Sequence, residues 1–232
     1  MSTTRSRFHE DLEALEAEIQ AMGELAEHAV GRAVDALVRG DEALAASVIE
    51  EDDAVDERYL RVEEGILRLL ALQTPVAGDL RLLSSMLHIN LHLERIADMA
   101  VNIAKIYRSV RELPGSPTIV EQLREMADVV RPMIRTAMEA FARRDLDRCL
   151  RLPELDEPVD RLNLGMYQEV AALATDEQLL NWGLRMILVA RQLERVGDHS
   201  VDIGEQVGFL LTGEFREFTD ASHPVRLAPD AG

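Results

Sequence analysis

The chain has 232 residues, of which 47% are hydrophobic and only 4% aromatic, and this composition favours leucine- and alanine-rich helix packing over a β-sandwich. Its formal net charge of −18 argues against non-specific nucleic-acid binding, which needs Lys and Arg to displace counterions from phosphates. The same charge disfavours anionic lipid. Cys149 is the single cysteine, so no intrachain disulfide is possible and we interpret it as a core thiol. We therefore expect proteins or cations as partners, and membranes only indirectly through such partners.

The start of the chain and its hydropathy suggest a compartment. The opening sequence, MSTTRSRFHEDLEALE, lacks the apolar core of a signal peptide. No apolar run approaches the length of a bilayer-spanning helix. We therefore expect a cytoplasmic protein.

Three long helices are predicted for the first half of the chain. Gly40 followed by Asp41 supplies a helix stop and a new N-cap, and Thr74 followed by Pro75 predicts the N-cap and first residue of the third helix. The segment LPGSP at 113–117 then marks a boundary. By their apolar spacing, the three predicted helices cover residues 7–39, 41–71 and 74–110.

The same three elements recur in the second half. Their apolar spacing repeats 104 residues later for the first two helices and 100 residues later for the third. Thr175 and Gln178 predict a capping box at the start of the last helix. Pro132 lies inside the fourth predicted helix, and Pro153 and Pro158 predict a kink or a broken start in the fifth.

The internal repeat defines the predicted architecture. A repeat of this length, with short connections between antiparallel helices, indicates two similar helical units. The predicted fold is all-α, with six helices forming two repeated three-helix bundles related by pseudo-twofold internal symmetry. The bundles are expected over 5–112 and 117–212, followed by a mobile tail over 213–232.

One motif occurs twice, on the third helix of each half. LERIADMAVNIA at 93–104 returns as LERVGDHSVDIG at 193–204. At about 100° per residue, the polar residues of each copy form a stripe well away from the apolar seam. The stripes consist of Glu94, Asp98 and Asn102 in the first copy and of Glu194, Asp198 and Asp202 in the second.

Further carboxylates lie on the middle helix of each half, including an aspartate at a seam position where an apolar residue is expected. These residues are Asp52 and Asp56, and then Asp156 and Asp160. Four carboxylates from two neighbouring helices would repel one another, and a partly buried anion is costly unless paired or metal-bound. Two explanations are open: a bound cation, or the arginines Arg95 and Arg195. Oxygen ligands would suit Mg²⁺, Mn²⁺, Ca²⁺ or ferric iron.

A di-iron oxidase or ferritin-like metal store is the competing interpretation, because it also places carboxylates inside a helical bundle. Such proteins need Glu-x-x-His on two helices. Here Ala97 and Gly197 stand three residues after Glu94 and Glu194, and none of the six histidines follows a glutamate by three. His199 adjoins Asp198 without a counterpart in the first half, and we interpret it as an exposed or auxiliary residue. A phosphate loop and a GxSxG motif are both missing from the sequence.

At these residues the chain resembles the PhoU family of phosphate-signalling proteins. The two acidic motifs look like the signature of that family, and segments of the first half are similar to it as well. The resemblance covers about residues 5–212 and includes LRLLALQTPVAGDLR at 67–81, VIEEDDAVDE at 48–57 and the pair Met22 and Gly23.

The resemblance implies a protein that is not an enzyme. It implies a homodimer-forming cytoplasmic negative regulator that links the ATPase of a high-affinity phosphate ABC transporter to a membrane sensor histidine kinase. It also implies multinuclear sites for iron, manganese, magnesium or zinc on the acidic motifs of both halves. Carried onto this chain, the metal ligands are Asp52, Asp56, Glu94, Asp98, Asn102, Asp156, Asp160, Glu194, Asp198 and Asp202.

The two halves are not identical at these positions. Pro158 follows Asp156 by two residues and removes a backbone donor there. In the opposite direction, Asp202 offers a carboxylate where the first half has the neutral Asn102. We therefore expect the two halves to differ in metal affinity.

Overall fold

Helices make up nearly all of the computed structural model, which describes residues 2–73 and 75–218. No strand occurs in these two ranges. The predicted all-α fold is therefore confirmed. In chain order the helices are α1 (Ser2–Arg39), α2 (Glu42–Glu50), α3 (Asp52–Gln73), α4 (Ala77–Val110), α5 (Pro117–Arg143), α6 (Leu146–Leu150), α7 (Leu152–Ala171) and α8 (Glu177–Thr212).

The middle helix of each half is interrupted, so the six predicted helices correspond to eight segments in the described chain. The interruptions lie at Glu51 and at Arg151. A break was expected only in the second half, where Pro153 lies in the first turn of α7. The first half breaks without a proline. There, Asp52 and Asp53 form the first turn of α3, and carboxylates stabilise a new helix start by interacting with the helix dipole.

Two predicted helix starts are wrong by one or two residues. The third predicted helix begins at Ala77 after the cap residue Val76, so Pro75 precedes it, and Thr74 lies outside the described residues. The last helix is capped by Asp176 rather than Thr175. The Asp176 carboxylate accepts from the backbone N–H groups of Gln178 and Leu179 at 2.9 and 3.0 Å. Aspartate is an equally good N-cap, and neighbouring candidates are not distinguished by sequence.

The third helices of the two halves, α4 and α8, pack against each other in antiparallel directions. Ser85 Oγ donates to the carbonyl oxygen of Gln206 at 3.1 Å, and His92 Nδ1 lies 3.0 Å from His199 Nδ1. Between these contacts the residue number rises by seven on α4 and falls by seven on α8. The helices α3 and α7 pack on the outer sides of this pair, each within its own half.

The apolar seams predicted for α4 and α8 form the core between the helices. Burying each large aliphatic side chain stabilises the fold by about 1.5–3 kcal/mol. Cys149 is also fully buried, and burial raises its pKa to about 12, which confirms a core thiol. The buried seam comprises Met86, Ile89, Leu93, Ile96, Ala100, Ile103 and Tyr107 in α4, and Trp182, Met186, Val189, Leu193, Val196, Ser200, Ile203 and Val207 in α8.

The helices α1 and α5 form a second contact between the halves, around a buried carboxylate. Glu27 is 8% exposed, and its Oε1 accepts from Arg131 Nε and Arg135 Nη1, each at 2.7 Å. Glu27 and Arg131 stand at equivalent positions of the repeat, so this pair lies close to the pseudo-twofold axis. Both arginines are partly exposed.

Removal of this carboxylate should loosen the contact between the halves. Glu27→Ala is expected to lower the free energy of unfolding by about 1–3 kcal/mol, because hydrogen bonds to charged groups are lost and two arginines remain without their acceptor. Urea unfolding measures the loss. Glu24→Ala, at an exposed position of the same helix, is the control and should cost less than about 0.5 kcal/mol. Equal losses for the two variants would contradict the role given to Glu27.

The chain beyond α8 turns back along that helix as far as it is described. Gly213 ends α8 with a φ of 77°, a left-handed conformation that glycine adopts at little cost. The Phe218 ring then packs against Gly208 and Gly204, and the Phe218 N–H donates to Glu205. Of the predicted mobile tail, residues 219–232 lie outside the described residues.

The burial of Glu205 gives the fold a pH dependence. Burial raises the pKa of Glu205 to about 7, although the hydrogen bond from Phe218 opposes this. Because the folded-state pKa lies above the unfolded value, stability falls as the pH rises from about 4.5 to 7 and stays low above that. Glu205→Gln is expected to be more stable than the unaltered chain by about 1–3 kcal/mol at pH 8, and by much less at pH 5.5. Urea midpoints at the two pH values test this, with the exposed Glu214→Gln as control. If the difference in stability between Glu205→Gln and the unaltered chain is the same at both pH values, the role given to Glu205 is contradicted.

None of the described helices combines the length and the apolar character that crossing a membrane requires.

Candidate functional site

The first acidic cluster consists of Asp52 and Asp56 on α3 and of Glu94 and Asp98 on α4. Desolvation raises the pKa of Asp52, and the charges of Asp56 and Asp98 raise it further, against the effect of Lys105. Desolvation likewise raises the pKa of Glu94, with Asp98 adding to the rise. The four predicted carboxylates therefore lie close enough to repel one another.

Compensating positive charge in the first acidic cluster comes partly from Arg95, as one of the two explanations anticipated. Arg95 Nε lies 3.4 Å from Glu94 Oε2, and Arg95 Nη1 lies 3.6 Å from Asp98 Oδ2. At these distances Arg95 forms ion pairs with the two carboxylates but no hydrogen bonds. The arginine side chain is half exposed. Glu94 Oε2 is buried and accepts no hydrogen bond from the described residues. A lone pair thus remains available in this cluster.

The second acidic cluster consists of Asp160 on α7 and of Glu194, Asp198 and Asp202 on α8, with Asp156 beside them. Desolvation raises the pKa of Glu194 to about 7, and Asp198 and Asp160 contribute to the rise while Arg191 opposes it. Desolvation also raises the pKa of Asp198, with Asp160 and Asp202 adding to it. The predicted convergence of α7 and α8 carboxylates is therefore present.

The arginine that pairs with Glu194 is not Arg195, the one considered from the sequence. Arg191, one turn earlier on α8, donates to Glu194 Oε1. Arg195, to which one of the two open explanations gave this role, is exposed. As in the first half, the other oxygen, Glu194 Oε2, is buried and accepts no hydrogen bond from the described residues.

Asp156 is buried against α8, whereas Asp52 is only partly buried. Asp156 is 7% exposed, and a Cβ built on Gly197 would lie 2.1 Å from Asp156 Oδ1. The carboxylate therefore occupies the space that a side chain at Gly197 would need, and the corresponding residue of the first half is Ala97. Pro158 lies inside α7 without ending that helix. Asn102, the remaining predicted ligand, is exposed on α4 one turn beyond Asp98.

A compact group that the sequence did not predict lies between the halves, and we call it the interface cluster: His92 from α4 with His199 and Asp202 from α8. The Nδ1 atoms of the histidines are 3.0 Å apart. Asp202 Oδ2 lies 3.2 Å from His199 Nδ1 and 3.5 Å from His92 Nδ1. Burial lowers the pKa of His92 to about 4, although Asp202 opposes this, so this imidazole is neutral at pH 7.

His199 is not exposed, since only 18% of its side chain is accessible and it contacts the other half, so that part of its interpretation is wrong. The two histidines are 107 residues apart and do not correspond in the repeat. Only the antiparallel pairing of α4 with α8 brings them together. Finding them from the sequence would have required a prediction of the register in which these two helices pair.

Comparison with known proteins adds a family assignment to this geometry. A family model described as "PhoU domain" matches the chain twice, over residues 19–107 and 123–207. The two matches fall in the two halves of the repeat.

Relatives and solved structures agree with that match. A protein of Clostridium acetobutylicum is 33% identical over 94% of this chain and 100% of its own length, and one of Pseudomonas putida is 35% identical over 94% and 83%. Both are named phosphate-specific transport system accessory protein PhoU homolog. The crystal structure of PhoU from Pseudomonas aeruginosa is 35% identical, with a TM-score of 0.85 over 89% of this chain and 100% of that one. That of the phosphate transport system regulatory protein PhoU from Streptococcus pneumoniae is 27% identical, with a TM-score of 0.83 over 90% and 99%.

Proposed function

Because the chain belongs to the PhoU family, we propose that it is a cytoplasmic negative regulator of phosphate uptake and phosphate-starvation signalling. Its relatives are named as accessory proteins of a phosphate-specific transport system. In this proposal the protein docks on the ATPase of the phosphate ABC transporter and on a sensor histidine kinase, and it works as a homodimer. The protein acts by binding and is not an enzyme.

The observation that carries the proposal is the pair of acidic clusters at equivalent places in both halves. In each, carboxylates from two helices meet and a buried glutamate Oε2 accepts no hydrogen bond from the described residues. Burying such groups without a cation is costly. This donor set fits hard or borderline cations that prefer oxygen ligands, such as iron, manganese or magnesium.

A bound cation would supply positive charge to each cluster. Asp52, Asp56, Glu94 and Asp98 would hold it in the first half, with Asn102 at the edge. Asp156, Asp160, Glu194, Asp198 and Asp202 would hold it in the second. Because carboxylates of both helices would share the cation, α4 would be held against α3, and α8 against α7. Partners would recognise this one arrangement of the helices. The output is a conformational preference rather than a reaction.

The alternative is a carboxylate-bridged metal store or a di-metal enzyme. Such a protein shares the acidic bundle interior but places Glu-x-x-His on two helices. The sequence has Ala97 and Gly197 at the histidine positions. Redox turnover by the purified, metal-loaded protein would favour this alternative over a docking role.

Gly197 provides a test of the second acidic cluster. In Gly197→Ala the new methyl group needs the space of the Asp156 carboxylate, so Asp156 moves and metal affinity in that half is expected to fall about 10–100-fold. Calorimetric titration with Mn²⁺ measures this in a Glu94→Gln/Asp98→Asn background, where only the second acidic cluster is complete. Gly78→Ala is the control, because a methyl group at Gly78 would meet nothing within 4 Å. If Gly197→Ala leaves the Mn²⁺ affinity unchanged, Asp156 is not a metal ligand.

The regulatory role is tested by deletion of the gene in its host. We expect phosphate-starvation genes to stay switched on in phosphate-rich medium and to be repressed again when the gene is restored. Normal repression in the deletion strain would refute the proposed function.

A further inference from the structure

The interface cluster differs in chemistry from the two acidic clusters, and it shares only Asp202 with the second of them. We propose that His92, His199 and Asp202 bind one transition-metal ion of the zinc class, which joins α4 of one half to α8 of the other. Asp202 is the only member that the acidic motifs predicted. Apart from the shared Asp202, the inference does not depend on the proposed function, since it rests on contacts between the halves.

The distances between the three ligand atoms match those around a four-coordinate ion. Zinc bonds of about 2.0–2.2 Å to nitrogen and oxygen in a tetrahedron place neighbouring ligand atoms about 3.3 Å apart. The observed separations are 3.0 Å between the two Nδ1 atoms, and 3.2 and 3.5 Å from these atoms to Asp202 Oδ2. The three atoms thus already lie like one face of a tetrahedron.

Hydrogen bonding satisfies at most two of these three contacts. A neutral imidazole carries one N–H, and a carboxylate only accepts. If both Nδ1 atoms carry protons, both donate to Asp202 and the contact of 3.0 Å between the two nitrogens has no hydrogen bond. If one of them lacks its proton, that nitrogen and Asp202 Oδ2 face each other with lone pairs. A metal ion satisfies all three contacts at once.

The ligand set selects a different metal from the acidic clusters. Two imidazole nitrogens and one carboxylate oxygen suit zinc and its neighbours in the first transition row, whereas magnesium and calcium prefer oxygen alone. Three protein ligands leave a fourth position open, and the Asp202 side chain, which is 42% exposed, places that position near solvent.

The site occurs once within residues 2–73 and 75–218, because the pseudo-twofold symmetry is broken at these residues. By the repeat offset of 100, His92 and His199 correspond to Gln192 and Met99, and Asp202 corresponds to Asn102. The antiparallel register of α4 and α8 places Met99 opposite Gln192. This related position offers neither imidazole nor carboxylate, so we expect one ion of this kind per chain.

Cobalt titration of the full-length, untagged protein tests the site. After chelator treatment we expect one equivalent of Co²⁺ to give the visible absorption of four-coordinate cobalt and to be displaced by Zn²⁺. His92→Ala/His199→Ala should lose this absorption, with affinity falling more than about 100-fold. His88→Ala, at an exposed histidine one turn away on α4, and Glu94→Gln/Glu194→Gln, which alters only the acidic clusters, should both keep it.

Two results would overturn the inference: the same cobalt spectrum in the double-histidine variant, or its loss in the Glu94→Gln/Glu194→Gln variant. A further measurement needs no substitution and so does not depend on a variant folding. Electron paramagnetic resonance of the unaltered protein with one equivalent of Cu²⁺ should show hyperfine coupling to two imidazole nitrogens. Coupling to fewer than two would equally overturn it.

Discussion

Replacing Glu94 and Asp98 by lysine is expected to abolish repression, so that phosphate-starvation genes are expressed in phosphate-rich medium as strongly as in a deletion strain. The substitution reverses two charges in the first acidic cluster, next to Asp52 and Asp56. A cation is then repelled rather than bound, and the arrangement of α3 against α4 that the partners recognise is lost. A reporter fused to a phosphate-starvation promoter measures the effect in the complemented deletion strain.

A matched variant controls for net charge. Glu125→Lys/Asp128→Lys changes the charge by the same amount on the exposed face of α5, away from both acidic clusters, and should repress normally. The neutral variant Glu94→Gln/Asp98→Asn separates loss of metal from gain of positive charge. If this neutral variant loses its metal, still folds, still binds the kinase and still represses, the ions are incidental to regulation.

Removing metal with a chelator is expected to lower the melting temperature by about 5–10 °C. A ligand at a hundredfold excess over its dissociation constant stabilises the folded state by about 2.7 kcal/mol. For a chain of this size each kcal/mol corresponds to about 2–4 °C. Thermal melts with and without chelator, followed by circular dichroism, make the comparison.

The control for chelation is a chain without either acidic cluster. Glu94→Gln/Asp98→Asn combined with Glu194→Gln/Asp198→Asn should respond less to chelator, and any remaining shift belongs to the interface cluster. If the unaltered chain melts at the same temperature with and without chelator, the stabilising role of bound metal is refuted.

The convergence of the acidic residues was predictable because it depends on local periodicity and on an internal repeat. Asp52 falls on the seam of its helix, and Glu94 and Asp98 share one face of theirs, so pairing of two adjacent helices in one bundle is enough to bring them together. Short connections restrict that pairing. The motif also occurs in both halves of the chain. Two copies at equivalent positions are stronger evidence for a site than a single copy.

Other features depended on packing that spacing does not encode. His92 and His199 meet only because α4 and α8 pair in one particular register, and a shift of one helical turn would separate them. The position of Asp156 against Gly197 is a tertiary contact of the same kind. The pairing of Arg191 with Glu194, by contrast, is local, because residues three apart on one helix are neighbours.

The metal content of untagged protein, measured by elemental analysis after gel filtration, tests the central claim most directly. We expect bound metal in the unaltered chain and a large loss in Glu94→Gln/Asp98→Asn/Glu194→Gln/Asp198→Asn, with the fold retained by circular dichroism. Unaltered protein without bound metal, or a variant that keeps the full amount, would contradict the claim that the two acidic clusters are metal sites.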